Sequence, residues 1–120
     1  MTEATSPRPA GEFDLESALA GVRALVLDAD GVLLFAGRRL PGAVEALKLL
    51  ESAAIPYRVV TNYSLAHRES LAAGVSRQFG RPVDPRRLIT AASAAAAHTA
   101  RHHPGAPLFV LASADAMREW

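Results

Sequence analysis

Apolar positions along the chain switch repeatedly between unbroken runs and a spacing of three to four residues. The run Ala24-Leu25-Val26-Leu27 suits a strand of a parallel sheet covered on both faces. After Pro41-Gly42-Ala43, where proline favours a first helical turn, Val44, Leu47 and Leu50 repeat at helical spacing. Ile55-Pro56 closes that helix, and Tyr57-Arg58-Val59-Val60 predicts a second strand ending in Thr61-Asn62-Tyr63-Ser64. Right-handed crossover makes the two strands parallel and close. Ser64 is expected to cap the next helix, whose Leu71, Val75 and Phe79 form a core face that Gly80 ends. A loop with two prolines follows at 81–87. Thr90 then caps an alanine-rich helix through about His103, stopped by Pro104-Gly105. Leu108-Phe109-Val110-Leu111 predicts a third strand, and Ala116 to Trp120 reads as a helix just beginning. Strands alternating with helices give an α/β fold: a partial parallel sheet of three strands with helices on both faces.

Composition narrows the class. The 120 residues allow one domain with a real core. Residues 1–18 read as a loose tail (Met1 to Gly11) and a short helical lead-in (Asp14 to Leu19), and 19–120 as the folded unit. The net charge of +1 gives no broad field for nucleic acid or acidic membranes. With no cysteine, there is neither a disulfide scaffold nor a thiol nucleophile. No apolar run approaches the roughly 18 residues of a membrane span, and the first ten residues lack a signal peptide's regions. A cytoplasmic location is the expectation.

The candidate chemistry lies at Asp28-Ala29-Asp30-Gly31. In extended chain, residues i and i+2 share a side, so Asp28 and Asp30 are expected to emerge together at the strand's carboxyl end. Open α/β sheets bind their ligands at that edge. Two neighbouring carboxylates repel unless one is protonated or a cation lies between them, which points to a hard ion such as Mg²⁺. The plainer reading is a strand followed by an Asx-type turn. Crossover brings Thr61 and Asn62 to the same edge. A metal site at His98, His102 and His103 is conceivable from their spacing, but histidines at a helix carboxyl end are simply favoured by the dipole. Arg38 and Arg39 could touch substrate; more simply they are solvated turn residues.

The D-x-D-G-V strand, a short flap from Val32 to Leu40, the P-G-A-x-E-A-L helix and the T-N-x-S strand end together resemble the haloacid dehalogenase superfamily. The chain is similar to the branch that includes para-nitrophenyl phosphatases, phosphoglycolate phosphatases and ribonucleotide monophosphatases. The resemblance runs from about Ala24 to the last residue and includes Leu88-Ile89-Thr90-Ala91-Ala92-Ser93. Tyr63 stands where that pattern usually has asparagine, and Ala29 where a larger apolar residue is common.

The resemblance implies a Rossmann-like core and a Mg²⁺-dependent phosphate-monoester hydrolase acting on a small phosphorylated metabolite. Asp28 would be the nucleophile that forms an aspartyl-phosphate, and Asp30 the general acid and base. The Asp28 carboxylate and the Asp30 carbonyl would hold the metal, while the Thr61 hydroxyl and Asn62 amide would hold the phosphoryl oxygens. Similar enzymes also carry a phosphate-gripping lysine, an acidic pair and a substrate-selecting cap. The one lysine here, Lys48, lies mid-helix, and no adjacent acidic pair follows Asp30. The expectation is the amino-terminal half of a phosphatase, inactive alone, whose nucleophile strand forms an exposed edge open to aggregation or homo-oligomer pairing. A non-catalytic binding module is the alternative. A phosphoacceptor receiver domain fits less well, because its acceptor Asp ends a later strand. A Rossmann or P-loop nucleotide binder lacks its glycine fingerprint.

Overall fold

The structure is a computed structural model that describes residues 15–120. The expected loose tail lies outside the described residues. The lead-in forms a short helix, α1 (Leu15–Leu19). Three parallel strands make the sheet: β1 (Leu25–Asp28), β4 (Tyr57–Thr61) and β5 (Leu88–Thr90), in the order β1-β4-β5. Leu25 lies beside Tyr57 and Asp28 beside Val60, while Thr61 lies beside Thr90. The helices α2 (Ala43–Ser52), α3 (Arg68–Phe79) and α4 (Ala91–His102) follow β1, β4 and β5. Between β1 and α2 the apolar excursion folds into a small hairpin, β2 (Leu34–Phe35) and β3 (Arg38–Arg39). Its two central residues, Ala36 and Gly37, both have positive φ, at 48° and 74°. That geometry matches the right-handed twist of the flanking strands.

The core sits on one face of the sheet. Tyr57, Val59 and Thr61 are buried while Arg58 and Val60 are exposed, a period of two along β4. The buried side meets Val44 and Leu47 of α2, Ala72, Val75 and Phe79 of α3, and Leu88 of β5. Ala72, Val75 and Phe79 fall at i, i+3 and i+7, one helical stripe, with Leu71 packed at its margin. Gly80 ends α3 as expected, in the left-handed conformation, with its N–H bonded to the Ser76 carbonyl. Thr90 caps α4 in a reciprocal box: its hydroxyl accepts the Ser93 N–H at 3.0 Å, and its own N–H donates to Ser93 Oγ at 2.9 Å.

Three local expectations are corrected. The third strand is Leu88–Thr90, not Leu108–Leu111, which pairs with nothing among the described residues. Phe109 and Leu111 there are 90% and 86% exposed. An apolar run supplies strand propensity but does not by itself form a ladder, and Leu88–Thr90 takes the side of β4 opposite β1. Second, α3 starts at Arg68 rather than at Ser64, and His67 is its cap, with Nδ1 accepting the Glu69 N–H at 3.3 Å. The intervening loop has partners of its own, described below. Third, Ala116–Glu119 is a single 3₁₀ turn. No helix among the described residues is long and apolar enough to cross a membrane.

Candidate active site at the carboxyl edge of the sheet

β1 ends at Asp28 and β4 at Thr61, and no strand lies between them. Adjacent strands run about 4.8 Å apart, so the two ends form one edge. Pleat alternation groups Asp28 with Val26 and Val60 on the exposed face, and Thr61 with Val59 on the covered face. A ligand touching both side chains therefore sits astride the strand ends.

Beyond Asp28 the chain leaves the pleat. Ala29 bends inward and is buried, and its carbonyl accepts the N–H groups of both Leu33 and Leu34 at 2.9 Å. Gly31, at φ 81°, closes the turn by donating to the Leu34 carbonyl at 2.7 Å. Left-handed backbone is the conformation for which glycine carries no Cβ penalty. The two carboxylates thus reach the edge by different routes, Asp28 as the last strand residue and Asp30 from the turn. Both are exposed. Asp28 Oδ1 accepts the Ala29 N–H at 2.7 Å.

Thr61 is 4% exposed, and its hydroxyl oxygen accepts the Tyr63 N–H at 3.2 Å. That bond fixes the oxygen and leaves the hydroxyl proton to be donated elsewhere. Asn62 follows at the exposed tip. Asp30 and Thr61 both border a cavity of about 420 Å³ that continues past Tyr63 between the hairpin and α3, walled by Leu33, Leu71 and Val75.

No local pattern announces what holds the loop after Asn62. Ser113 Oγ donates to the Leu65 carbonyl at 2.6 Å, Asp115 Oδ2 accepts the His67 N–H at 2.9 Å, and Glu119 Oε1 accepts the Arg68 N–H at 2.8 Å. Asp115 also accepts from Ser70 Oγ at 3.1 Å and from Arg118 at 2.9 Å. The Ser70 hydroxyl, Arg118 and the His67 N–H together hold the Asp115 carboxyl below its ordinary value. The Glu119 side chain is buried; its Oε2 lies 3.1 Å from Arg68 Nη2 yet is misaligned for a hydrogen bond, so that contact is an ion pair. Apart from the local Asp115–Arg118 pair, these partners lie 45 to 51 residues apart in sequence, beyond any local pattern.

Two carboxylates and backbone carbonyls at one exposed edge are a hard oxygen set. They fit Mg²⁺, which commonly takes one or two protein carboxylates and completes its shell with water and phosphate. Among the described residues, no group of three or more His, Cys, Asp or Glu is placed to hold a metal. His98 and His102 instead stack, with ring centroids 4.4 Å apart. Lys48 is exposed on α2.

Residues 25–120 match the family described as haloacid dehalogenase-like hydrolases. No curated protein matches the chain by sequence. Among solved structures, the p-nitrophenyl phosphatase of Archaeoglobus fulgidus is 28% identical with a TM-score of 0.72, over 81% of this chain and 37% of that one. NagD of E. coli K-12 is 27% identical with a TM-score of 0.71, over 81% of this chain and 38% of that one. The 4-nitrophenylphosphatase of Thermotoga maritima shares the fold at a TM-score of 0.75 and 22% identity, over 84% of this chain and 38% of that one. The chain thus spans well under half the length of the solved relatives it matches. With the family match covering everything from the first residue of β1 onward, the chain belongs to the haloacid dehalogenase-like hydrolases.

Proposed function

We propose that this chain carries the nucleophile-bearing part of a Mg²⁺-dependent phosphate-monoester hydrolase acting on a small phosphorylated metabolite. The supporting observation is the adjacency of two strand ends, one bearing Asp28 and the Asp30 turn, the other Thr61-Asn62. The Asp28 carboxylate attacks phosphorus, the ester P–O bond breaks, and Asp30 protonates the departing alkoxide. Asp30 then removes a proton from water as the water attacks the aspartyl-phosphate, which restores the Asp28 carboxylate and releases inorganic phosphate. The Thr61 hydroxyl, its oxygen already committed to Tyr63, donates to a phosphoryl oxygen, and the Asn62 backbone amide donates to another. Mg²⁺, held by the Asp28 carboxylate and the Asp30 carbonyl, would supply positive charge to offset that of the phosphoryl group.

Binding of beryllofluoride, which mimics an aspartyl-phosphate, tests this reading without requiring turnover. Fluorine NMR of the chain with Mg²⁺ is expected to show a bound signal that disappears in Asp28→Asn and persists in Asp30→Asn. No bound signal from the unsubstituted chain would sink the proposal. The absence of a three-acid cluster among the described residues favours a second reading, a phosphate-binding module without turnover. Binding of inorganic phosphate that survives Asp28→Asn unchanged, with no beryllofluoride complex, would favour that one.

A further inference from the structure

The loop from Asn62 to His67 joins the phosphate-side end of β4 to α3, and little within it holds its shape. Tyr63 is tied at both ends, its N–H to Thr61 Oγ1 at 3.2 Å and its carbonyl to the Ala91 N–H at 3.3 Å. The next three anchors all come from residues 113–119. They are Ser113 on the Leu65 carbonyl, Asp115 on the His67 N–H and Glu119 on the Arg68 N–H. Two of these are backbone amides donating to carboxylates, the stronger class of hydrogen bond. The segment is itself braced: Ser113 Oγ accepts the Ala116 N–H at 3.1 Å, and Arg118 bridges Asp115 to Glu69 at 2.9 and 3.0 Å. Ala116 at its centre is completely buried.

We propose that residues 113–119 form a strap that positions the phosphate-binding loop, with Asp115 as the central positioning residue. The proposal rests on the phosphatase reading above for what the loop binds. It adds that affinity at the Thr61-Asn62 end is set from a segment that touches no ligand itself. With the strap in place, the Asn62 amide is held in one orientation before ligand arrives, so less ordering entropy is lost on binding. With it released, the loop opens locally at little cost, because Asn62 to Leu65 are exposed and bury little apolar surface.

The test uses the full 120-residue chain in two arms. In Asp115→Asn, amide exchange at residues 62–68 is expected to accelerate about tenfold or more, while β4 and α4 stay within about twofold of the unsubstituted chain. In the same variant, beryllofluoride with Mg²⁺ is expected to bind about fivefold or more weakly, with its stoichiometry unchanged. Ser113→Ala, which removes the bond to the Leu65 carbonyl and the acceptor of the Ala116 N–H but leaves Asp115 and Glu119 in place, should move both readouts the same way by less, and it guards against a folding defect in the first variant. Asp84→Asn, whose pair with Arg86 lies away from the loop, should move neither. Unchanged loop exchange in both strap variants would overturn the proposal. So would faster loop exchange with undiminished affinity, since the strap would then be structural only. If the unsubstituted chain binds no beryllofluoride, the phosphatase reading fails, and the exchange arm decides whether the strap orders the loop.

Discussion

The two ends of the sheet are both braced by carboxylates, but in opposite ways. At the amino end, Glu51 accepts from the Tyr57 hydroxyl at 2.9 Å and from Arg81 at 2.7 Å, and the Arg87 guanidinium lies 4.4 Å over the Tyr57 ring. Side chain meets side chain there, and the cluster closes the core around a buried tyrosine. At the carboxyl end, Asp115 and Glu119 accept from backbone amides, and they shape a loop rather than a core. The first arrangement locks packing. The second leaves the packed sheet untouched and fixes a short piece of main chain beside the candidate nucleophile. The side-chain cluster thus lies at one end of the strands and the candidate site at the other, the end where open α/β sheets bind their ligands.

The largest effect should come from the amino end. Tyr57→Ala removes a buried ring together with the cation–π contact and the bond to Glu51, and is expected to cost about 3–5 kcal/mol in urea denaturation. A loss below about 1 kcal/mol would mean that this end does not carry the core. Glu51→Ala is next. It strips the acceptor from Arg81, whose Nη1 is already buried without a partner, and from Tyr57, and should cost about 1–3 kcal/mol. Neither substitution should change loop exchange at residues 62–68 in what remains folded.

Titration separates the ends further. Arg81 and Tyr57 hold the Glu51 carboxyl below its ordinary 4.5, and Asp115 lies below its ordinary 3.8. A depressed carboxylate contributes stability above its unfolded value and loses it as pH falls through the lowered folded value, so both ends weaken in acid. Burial, then the bond to Glu51, pushes the Tyr57 hydroxyl above its ordinary 10.0. That contribution is complete below 10.0 and is lost as pH rises through the raised folded value. Denaturation midpoints should therefore fall at both extremes, and Tyr57→Phe should blunt the alkaline fall and, by removing a donor to Glu51, the acid fall to a smaller extent. Asp115→Asn should blunt only the acid one. The smallest effect is expected at Asp84, whose pair with the exposed Arg86 should leave the midpoint unmoved when Asp84 becomes Asn.

An edge of the comparison is also exposed. Among the described residues β1 pairs only with β4, and Val26 on its open face is 73% exposed. The expected edge position of the strand that ends at Asp28 is therefore what the fold shows among the described residues. Analytical ultracentrifugation of Val26→Lys against the unsubstituted chain tests its consequence: self-association of the parent should fall in the variant, since a charge on an edge strand opposes pairing.

Local chemistry made much of this legible. The strand at Leu25–Asp28, the helix opened by Pro41-Gly42, the cap at Thr90 and the stop at Gly80 each follow from a pattern spanning a few residues. The Asp28, Asp30, Thr61 and Asn62 set followed from one crossover rule, and adjacent parallel strands bring its ends to one edge. What failed needed distant partners. Leu88–Thr90 is too short to stand out as a strand, yet it takes the side of β4 opposite β1, while the longer apolar run at 108–111 pairs with no strand among the described residues. Ser64 has the chemistry of a cap, but three anchors from residues 113–119 draw the loop onward, and the helix waits until Arg68. Sequence by itself determined the periodic elements and the residues at their ends, because propensity, capping and turn geometry act over one or two turns of chain. Tertiary structure alone decided which strand found a neighbour and which carboxylates met which amides. Those choices compare contacts between segments some fifty residues apart, and no local pattern records them.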